Sequence, residues 1–435
     1  METLMKTVFI SFIAALFALA GARAGELKKG EDMSSKTTIT VGQNEGDIRG
    51  NDDKAIQAAA DYVDRLGGGV LQILPGEYTM YNALHLHSGL TVRGSGSSTV
   101  LKKAPSVRTK IVQEVDWYDN QVPVESAAGF RVGGGVMLQS KGSPGGGAQS
   151  LQMTILRVDG NVLTVHDRIN KNFWLKHESS AATLHPLIRG ERVNDVRVEN
   201  IVLDGDREQN EEINGNFAGA IFMQWCDRVV IDGVVCRNYN GDGISLQVCD
   251  DAQVLNTVSE NNANLGLHPG SGCQRPVFRN CVSRGNSQGF FFCWGVRNGL
   301  VEDCTFTENR DYGVSYGHRD TDNLLRNCKI TRNAKVGVLF RKEEVEFFGG
   351  HRNTLENCEI LDNGAAENGC GADIRGETHD LTFRGCKIGD TGSGMQKIGV
   401  RIGPEASRIA LEGNEFMNLV KDVEKLEPER KAEKK

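Results

Sequence analysis

The sequence predicts an all-β solenoid, a right-handed parallel β-helix, and three observations carry that prediction. Glycine recurs at Gly219, Gly243, Gly266, Gly289, Gly313 and Gly337 with spacings of 24, 23, 23, 24 and 24 residues, and longer units follow at Gly371 and Gly399. A fixed period of this size marks a coil of stacked supersecondary units. A cysteine stands nine residues before its glycine in successive units, Cys304 before Gly313 and Cys328 before Gly337. No 3.6-residue apolar period runs through these units, and their Asn and Gly would interrupt a helix.

The chain opens with an early lysine, an apolar run from Val8 to Ala20 and the small-residue pattern Ala22-Arg23-Ala24. This reads as a secretory signal peptide over residues 1–24, too short for a stable span, and it predicts export to the periplasm or the extracellular space. A retained N-terminal anchor is the alternative. Residues 36–104 read as an N-terminal cap and the first coil turns. Ile56, Ala59, Ala60, Val63 and Leu66 share one face of a predicted helix. Asn51 or Asp52 caps it, Gly67 to Gly69 end it, and a strand starts at Val70. Such a helix would cover the apolar end of a coil.

Residues 105–190 break the period and read as a small β-rich insertion. Asp159-Gly160-Asn161, between alternating apolar residues, is a hairpin signal, and "SKGSPGGGAQS" reads as a mobile loop. Residues 191–417 hold the repeats. The Cys328 position is filled in turn by Ile201, Val234, Thr257, Cys281, Cys304, Cys328, Cys358, Cys386 and Asn414. Two residues on stand Leu203, Cys236, Ser259, Ser283, Phe306, Ile330, Ile360, Ile388 and Phe416. Small or apolar alternate positions describe a strand with one buried face. A second strand follows each glycine, and corners such as "TRN", "TEN" and "SEN" join the two where the backbone visits positive φ. Residues 418–435 read as a charged, solvated tail.

All eleven cysteines follow residue 225. The column from Cys281 to Cys386 reads as packing, since cysteine is small and commonly buried. Cys226, Cys249 and Cys273 fall just past the second strand in three successive rungs, and one rung spacing suits a disulfide between Cys249 and a neighbour. The formal charge of −7 becomes −8 once residues 1–24 are removed. That balance argues against nucleic acid or an anionic membrane as partner, and no later apolar segment is long enough to span one. Oligomeric state is left open.

The cap stretch, with "NDDKAIQAAAD" and "GGGVLQILPGEY", resembles the N-terminal cap of the pectate-lyase-like superfamily, which includes polygalacturonases, phage tailspikes and mannuronan epimerases. The rungs from about 190 to 417 resemble its β-helix region. "DGISLQ", "LGLHPGSG", "FFFCWGV" and "GHRDTDN" resemble exported bacterial β-helix repeat proteins. The resemblance implies the fold and a carbohydrate-active role, with a polysaccharide or oligosaccharide as partner.

If the first and third residues after each glycine face inward, the second and fourth form an outer strip. The second positions run Ile221, Ser245, His268, Phe291, Ser315, Leu339, Asp373 and Arg401. The fourth run Met223, Gln247, Gly270, Cys293, Gly317, Arg341, Arg375 and Gly403. On this strip His268, beside the gap at Gly270, suits proton transfer near neutral pH, and Phe291 suits a sugar platform. Asp242, at the turn entering the neighbouring strand, suits an acid or base. His318 and Arg319 lie just beyond the strip, near Trp294, with Arg341 and Lys342 one rung on. Arginine there would clamp a uronate carboxylate, as would Arg375, and Gln247 would bind hydroxyls. Each residue has a plain alternative, from a turn-bonding aspartate to a surface ion pair of His318 or Arg341 with Asp320 or Glu343. Asp204, Asp206 and Glu208 form an acidic loop able to hold Ca²⁺.

The polygalacturonase motif set is not reproduced. Asp250-Asp251 shares a rung with "NGDG", and His268 is flanked by Leu267 and Pro269 rather than glycines. The Asp-Pro-His pattern of mannuronan epimerases is absent as well. A hydrolase needs two carboxyl groups across the scissile bond, which the strip does not display. Histidine with arginines fits lyase or epimerase action on an acidic polysaccharide, with His268 as base and Arg341 as clamp. A non-catalytic glycan-binding or surface scaffold protein and a glycoside hydrolase are the alternatives.

Overall fold

In the computed structural model, residues 37–428 are described except 344, 367 and 368. The signal-peptide reading lies outside them, as does the end of the tail. From Thr38 onward the chain forms one compact unit. Among the described residues no helix is long and apolar enough to cross a membrane.

Three long parallel sheets of 13, 11 and 11 strands run the length of the coil. Each rung contributes one strand to each sheet, in a fixed order. The first sheet takes three-residue strands such as Val277–Arg279 and Leu300–Glu302. The second takes Val282–Arg284 and Thr305–Thr307, and the third takes Leu265–Gly270 and Tyr312–Tyr316. The first-sheet strand escapes the two-strand reading because it carries a single buried residue, such as Phe278 or Val301. One inward residue leaves no period to detect. Rungs stack in register, so the second-sheet column from Leu203 through Cys236, Ser259, Ser283, Phe306, Ile330, Ile360 and Ile388 to Phe416 is realised residue for residue.

The core holds the cysteine column too, and its polar edges are satisfied. Cys304 Sγ donates to Phe278 O (3.6 Å) and Cys328 Sγ to Val301 O (3.5 Å), each a carbonyl of the preceding rung. The corners visit positive φ as expected, in "SEN" at Asn261. At "TEN" and "TRN" the positive φ falls on Glu308 and Arg332, while Asn309 and Asn333 turn inward with their neighbours as a buried ladder. The Asn309 carboxamide accepts the Asn286 amide (3.1 Å) and donates to Asn333 Oδ1 (2.9 Å), and the same bonds recur rung after rung. Backbone groups that a tight corner leaves unpaired thus find partners inside the coil.

The disulfide expected at Cys249 is not formed, because all eleven cysteines are free and buried. Cys249 Sγ donates to Gln247 O (3.5 Å) and Cys273 Sγ to Leu246 O (3.4 Å), so these thiols are engaged with backbone carbonyls. The charged tail also differs from expectation, since Lys421–Lys425 pairs with Ile398–Ile402 as the last strand of the third sheet. Val423 supplies the inward residue against Val400, which is enough to extend the ladder by one rung.

At the other end the helix Asp53–Arg65 is capped by Asp52, whose side chain accepts the Lys54 amide. Ile56, Ala59, Ala60 and Val63 are buried against the first rungs, whereas Leu66 lies at the C-cap and is exposed. Between Arg108 and Ala182 a six-stranded antiparallel sheet encloses its own apolar core around Val115, Leu138, Ile155, Leu163 and Phe173. Gly160 and Asn161 turn its hairpin, and "SKGSPGGGAQS" links Gly135–Ser140 to Gln149–Asp159. The chain is back in the coil by Ile188–Glu191, a strand of the third sheet.

Candidate functional site

Pairing register decides which residues leave the third sheet outward. The inward column is Ile188, Ile221, Ile244 and Leu267, so the outward one is His85, Arg189, Phe222, Ser245 and His268. The strip inferred from glycine spacing is therefore one residue out at its first rung. Ile221 and Met223 point into the core, and Phe222 and Gln224 take their places. A one-residue slip reverses every side chain of a strand, and Gly219 pairs with Asp242 rather than Gly243.

The central strip is outward yet sealed. Asp242, Ser245, Gln247 and His268 are all buried. A loop after Asn210 lies on them, with Ser245 Oγ donating to Gly215 O (2.8 Å). A Cβ at Gly215 would sit 1.9 Å from the Asp242 carboxylate, so only glycine permits this approach. Lys103 Nζ holds the loop through Asn210 Oδ1 (2.7 Å), and the Ile213 amide donates to Asn240 O (2.7 Å). The gaps expected at Gly270 and Gly317 are filled, the first by the Gln247 carboxamide and the second by Arg341.

Asp242 and His268 do come together, with His268 Nδ1 2.7 Å from Asp242 Oδ2 and both side chains at most 3% exposed. Burial alone would favour neutral imidazole. The Asp242 hydrogen bond and the Cys293 thiol beside the ring outweigh it, and the His268 pKa rises to about 9. Asp242 thus favours the protonated imidazole, while His268 Nε2 is buried without a hydrogen-bond partner. Phe291 meets it edge-on at 5.4 Å, and the Arg341 guanidinium lies 4.2 Å over the Phe291 ring. Arg341 donates to Ser315 Oγ (2.8 Å) and Phe292 O (3.0 Å), with Asp320 at 3.6 Å. Its donors are engaged inside the protein instead of being offered to a carboxylate.

The other expected residues fall elsewhere. The His318 ring lies tilted between Trp294 (3.5 Å) and Phe348 (4.6 Å), and its amide donates to Glu343. Arg319 lies over Phe348, Lys342 is exposed, and Arg375 pairs with Asp373. Asp204 is engaged by Arg237 and Asp206 by Lys102, and among the described residues no group of three or more His, Cys, Asp or Glu is placed to hold a metal ion.

A cleft that sequence reading missed opens where the insertion meets the first rungs. Its outer chamber, of about 390 Å³, is lined from the coil by Arg189, Glu191, Phe222, Gln224 and Trp225, and from the insertion by Gln152, His166, Asp167, Arg168 and Lys171. Phe217 closes one side. Burial lowers the Lys171 pKa, and the ammonium donates to Ser150 O (2.6 Å). An inner chamber of about 180 Å³ reaches His85, which is neutral. Burial, then the Arg189 charge and His166, push its pKa down to about 4. His85 Nε2 is buried without a hydrogen-bond partner. Gln152 forms the partition, bonded to Arg189 and donating to Phe217 O (2.5 Å). From the mouth, Trp225, Val248, Ser271, Trp294 and His318 follow one per rung along the edge of the sheet, each at positive φ. Trp225, Val248 and Trp294 are between 41% and 53% exposed.

The family model for the right-handed β-helix region matches residues 219–348 and 298–421. The chain has the right-handed parallel β-helix fold. Among solved structures it is similar to the A-module of the mannuronan C-5 epimerase AlgE4 of Azotobacter vinelandii. The TM-score is 0.55 at 15% identity, over 89% of this chain and 98% of that one. It is also similar to the surface protein and adhesin PfbA of Streptococcus pneumoniae, with TM-score 0.51 and 12% identity over 86% and 95% of the two chains. A glycoside hydrolase matches at TM-score 0.51 and 10% identity, over 89% and 96%. No curated protein matches the sequence. These likenesses establish the coil. The cleft joins this chain's insertion and Arg189 and Glu191, which precede the residues matched by the family model, to Phe222, Gln224 and Trp225, which lie within them.

Proposed function

We propose that the protein is carbohydrate-active, that it receives an acidic polysaccharide in the cleft between insertion and coil, and that it acts there by lyase or epimerase chemistry. The observation that carries this reading is the lining of the outer chamber. Arg168, Lys171 and Arg189 stand with the rings of Phe217, Phe222 and Trp225, among polar groups that include Asp167 and Glu191, the latter paired with Arg189 (2.7 Å). A uronate ring presents an apolar face for an aromatic and a carboxylate for a cation. Structural neighbours named as a mannuronan epimerase and a glycoside hydrolase support a saccharide ligand on this scaffold.

Removal of the proton at C5 of a uronate requires a base that is neutral before it acts and cations that relieve the carboxylate charge. His268 is held toward its protonated form by Asp242, and Arg341 is engaged by Ser315 and Phe292. His85, neutral and with a buried Nε2 that has no hydrogen-bond partner, meets the first, and Arg189, which lines both chambers and is paired with Glu191, is the cation beside it. The test is an assay for unsaturated ends and for C5 inversion on a panel of uronate polymers, with His85→Gln beside the native protein. Loss of turnover with binding retained in His85→Gln is the expected result, and equal turnover in the two proteins refutes the role of His85. Binding by the native protein with no product on any polymer favours the non-catalytic alternative, for which the likeness to a surface adhesin speaks.

A further inference from the structure

We infer that the insertion makes the cleft a chain-end site, so that the protein takes hold of the terminus of an acidic polysaccharide and not of its interior. This rests on the polysaccharide reading above. The edge of the third sheet runs along the coil axis beside the strip that the loop after Asn210 seals, and a polymer lying along it would need both ends of that edge open. One end is open, where Trp225, Val248, Ser271 and Trp294 follow each other one rung apart, about 4.8 Å per step. The other end is not.

The insertion crosses the strip over its first rungs and is bonded to the coil on several sides of the cleft. Asn82 Nδ2, just before the strand carrying His85, donates to Thr154 Oγ1 (3.0 Å) and to Gly133 O (3.1 Å). Gln152 bonds Arg189 on the floor and Phe217 O on the flank. Behind this partition lies the inner chamber of about 180 Å³, lined by Leu86, Val136, Met153, Leu184 and Pro186. Beyond His85 the helix takes over, with Gln57 Nε2 donating to His85 O (3.2 Å) and Gln57 Oε1 accepting the His85 amide (2.8 Å). A saccharide entering past Trp225 therefore meets the Gln152–Arg189 partition and has no exit along the axis. Its terminal residue lodges where the two chambers meet, at Gln152, His166 and Arg189, within the cleft that His85 lines, and the following residues extend back over the tryptophan edge.

The test is titration calorimetry of the native protein with galacturonate, mannuronate and glucuronate oligomers in a short, an intermediate and a long series. Each series is used unmodified, with the reducing end converted to the alditol, and with the non-reducing end capped. A chain-end site gives one protein per oligomer at every length, and blocking one particular end weakens binding at least tenfold while blocking the other does not. Trp294→Ala weakens only the longer oligomers, because a short one never reaches that rung. Stoichiometry that climbs with chain length, or indifference to both modifications, overturns the chain-end inference while leaving acidic-polysaccharide binding intact. Failure of every unmodified series to bind overturns both.

Discussion

Raising the pH should take stability from this protein through a single buried pair. His268 titrates at about 9 in the folded chain against about 6.5 in the unfolded one. Its folded pKa lies above its unfolded value, so the folded state holds a proton that the unfolded state has released throughout the window between them. The contribution is complete below about pH 6.5 and is lost as pH rises through about 9. At 1.36 kcal/mol per unit, this separation corresponds to about 3 kcal/mol. The His268 and Asp242 side chains are 3% and 1% exposed, so water does not screen the pair. Urea unfolding at a series of pH values, compared with His268→Gln, isolates the effect, since other groups titrate alike in both proteins. The stability difference should shrink between pH 6.5 and 9. The imidazole signal of His268 in NMR should titrate near 9. A difference that stays constant across that window, or an imidazole titrating at or below 6.5, would refute the ion pair and return His268 to the list of candidate bases.

Other outcomes test the framework around the site. Asn309→Ala should destabilise the coil by about 3 kcal/mol in urea unfolding, because it orphans the buried Asn286 amide and removes the bond to Asn333. Val248→Gly should raise stability by about 0.5–1 kcal/mol, since a β-branched residue at φ 54° is strained where glycine is not, less the entropy glycine adds to the unfolded chain. Thiol titration of the denatured, unreduced protein should find all eleven cysteines free; any shortfall would restore a disulfide at the Cys226–Cys249–Cys273 stack.

What the sequence determined by itself was the coil and everything that repeats with it. A side chain in a stacked rung meets its own equivalents one period away, so the columns through Cys304 and Phe306 could be written down before any coordinates existed. The helix from Asp53 was legible for a similar reason, as its cap and apolar face are local. Tertiary structure decided whatever depended on a non-repeating segment lying against the repeats. Asp242 and His268 were found as neighbours from spacing alone, but the loop at Gly215 that seals them has no period to betray it. Arg189 and Phe222 could have been placed on the outer strip by aligning rungs on Ile188, Ile221 and Ile244 instead of on glycine. Their partners Gln152, His166 and Lys171 could not, because an antiparallel sheet docks on the coil through contacts that no local pattern encodes. The cleft exists only where those two kinds of structure meet.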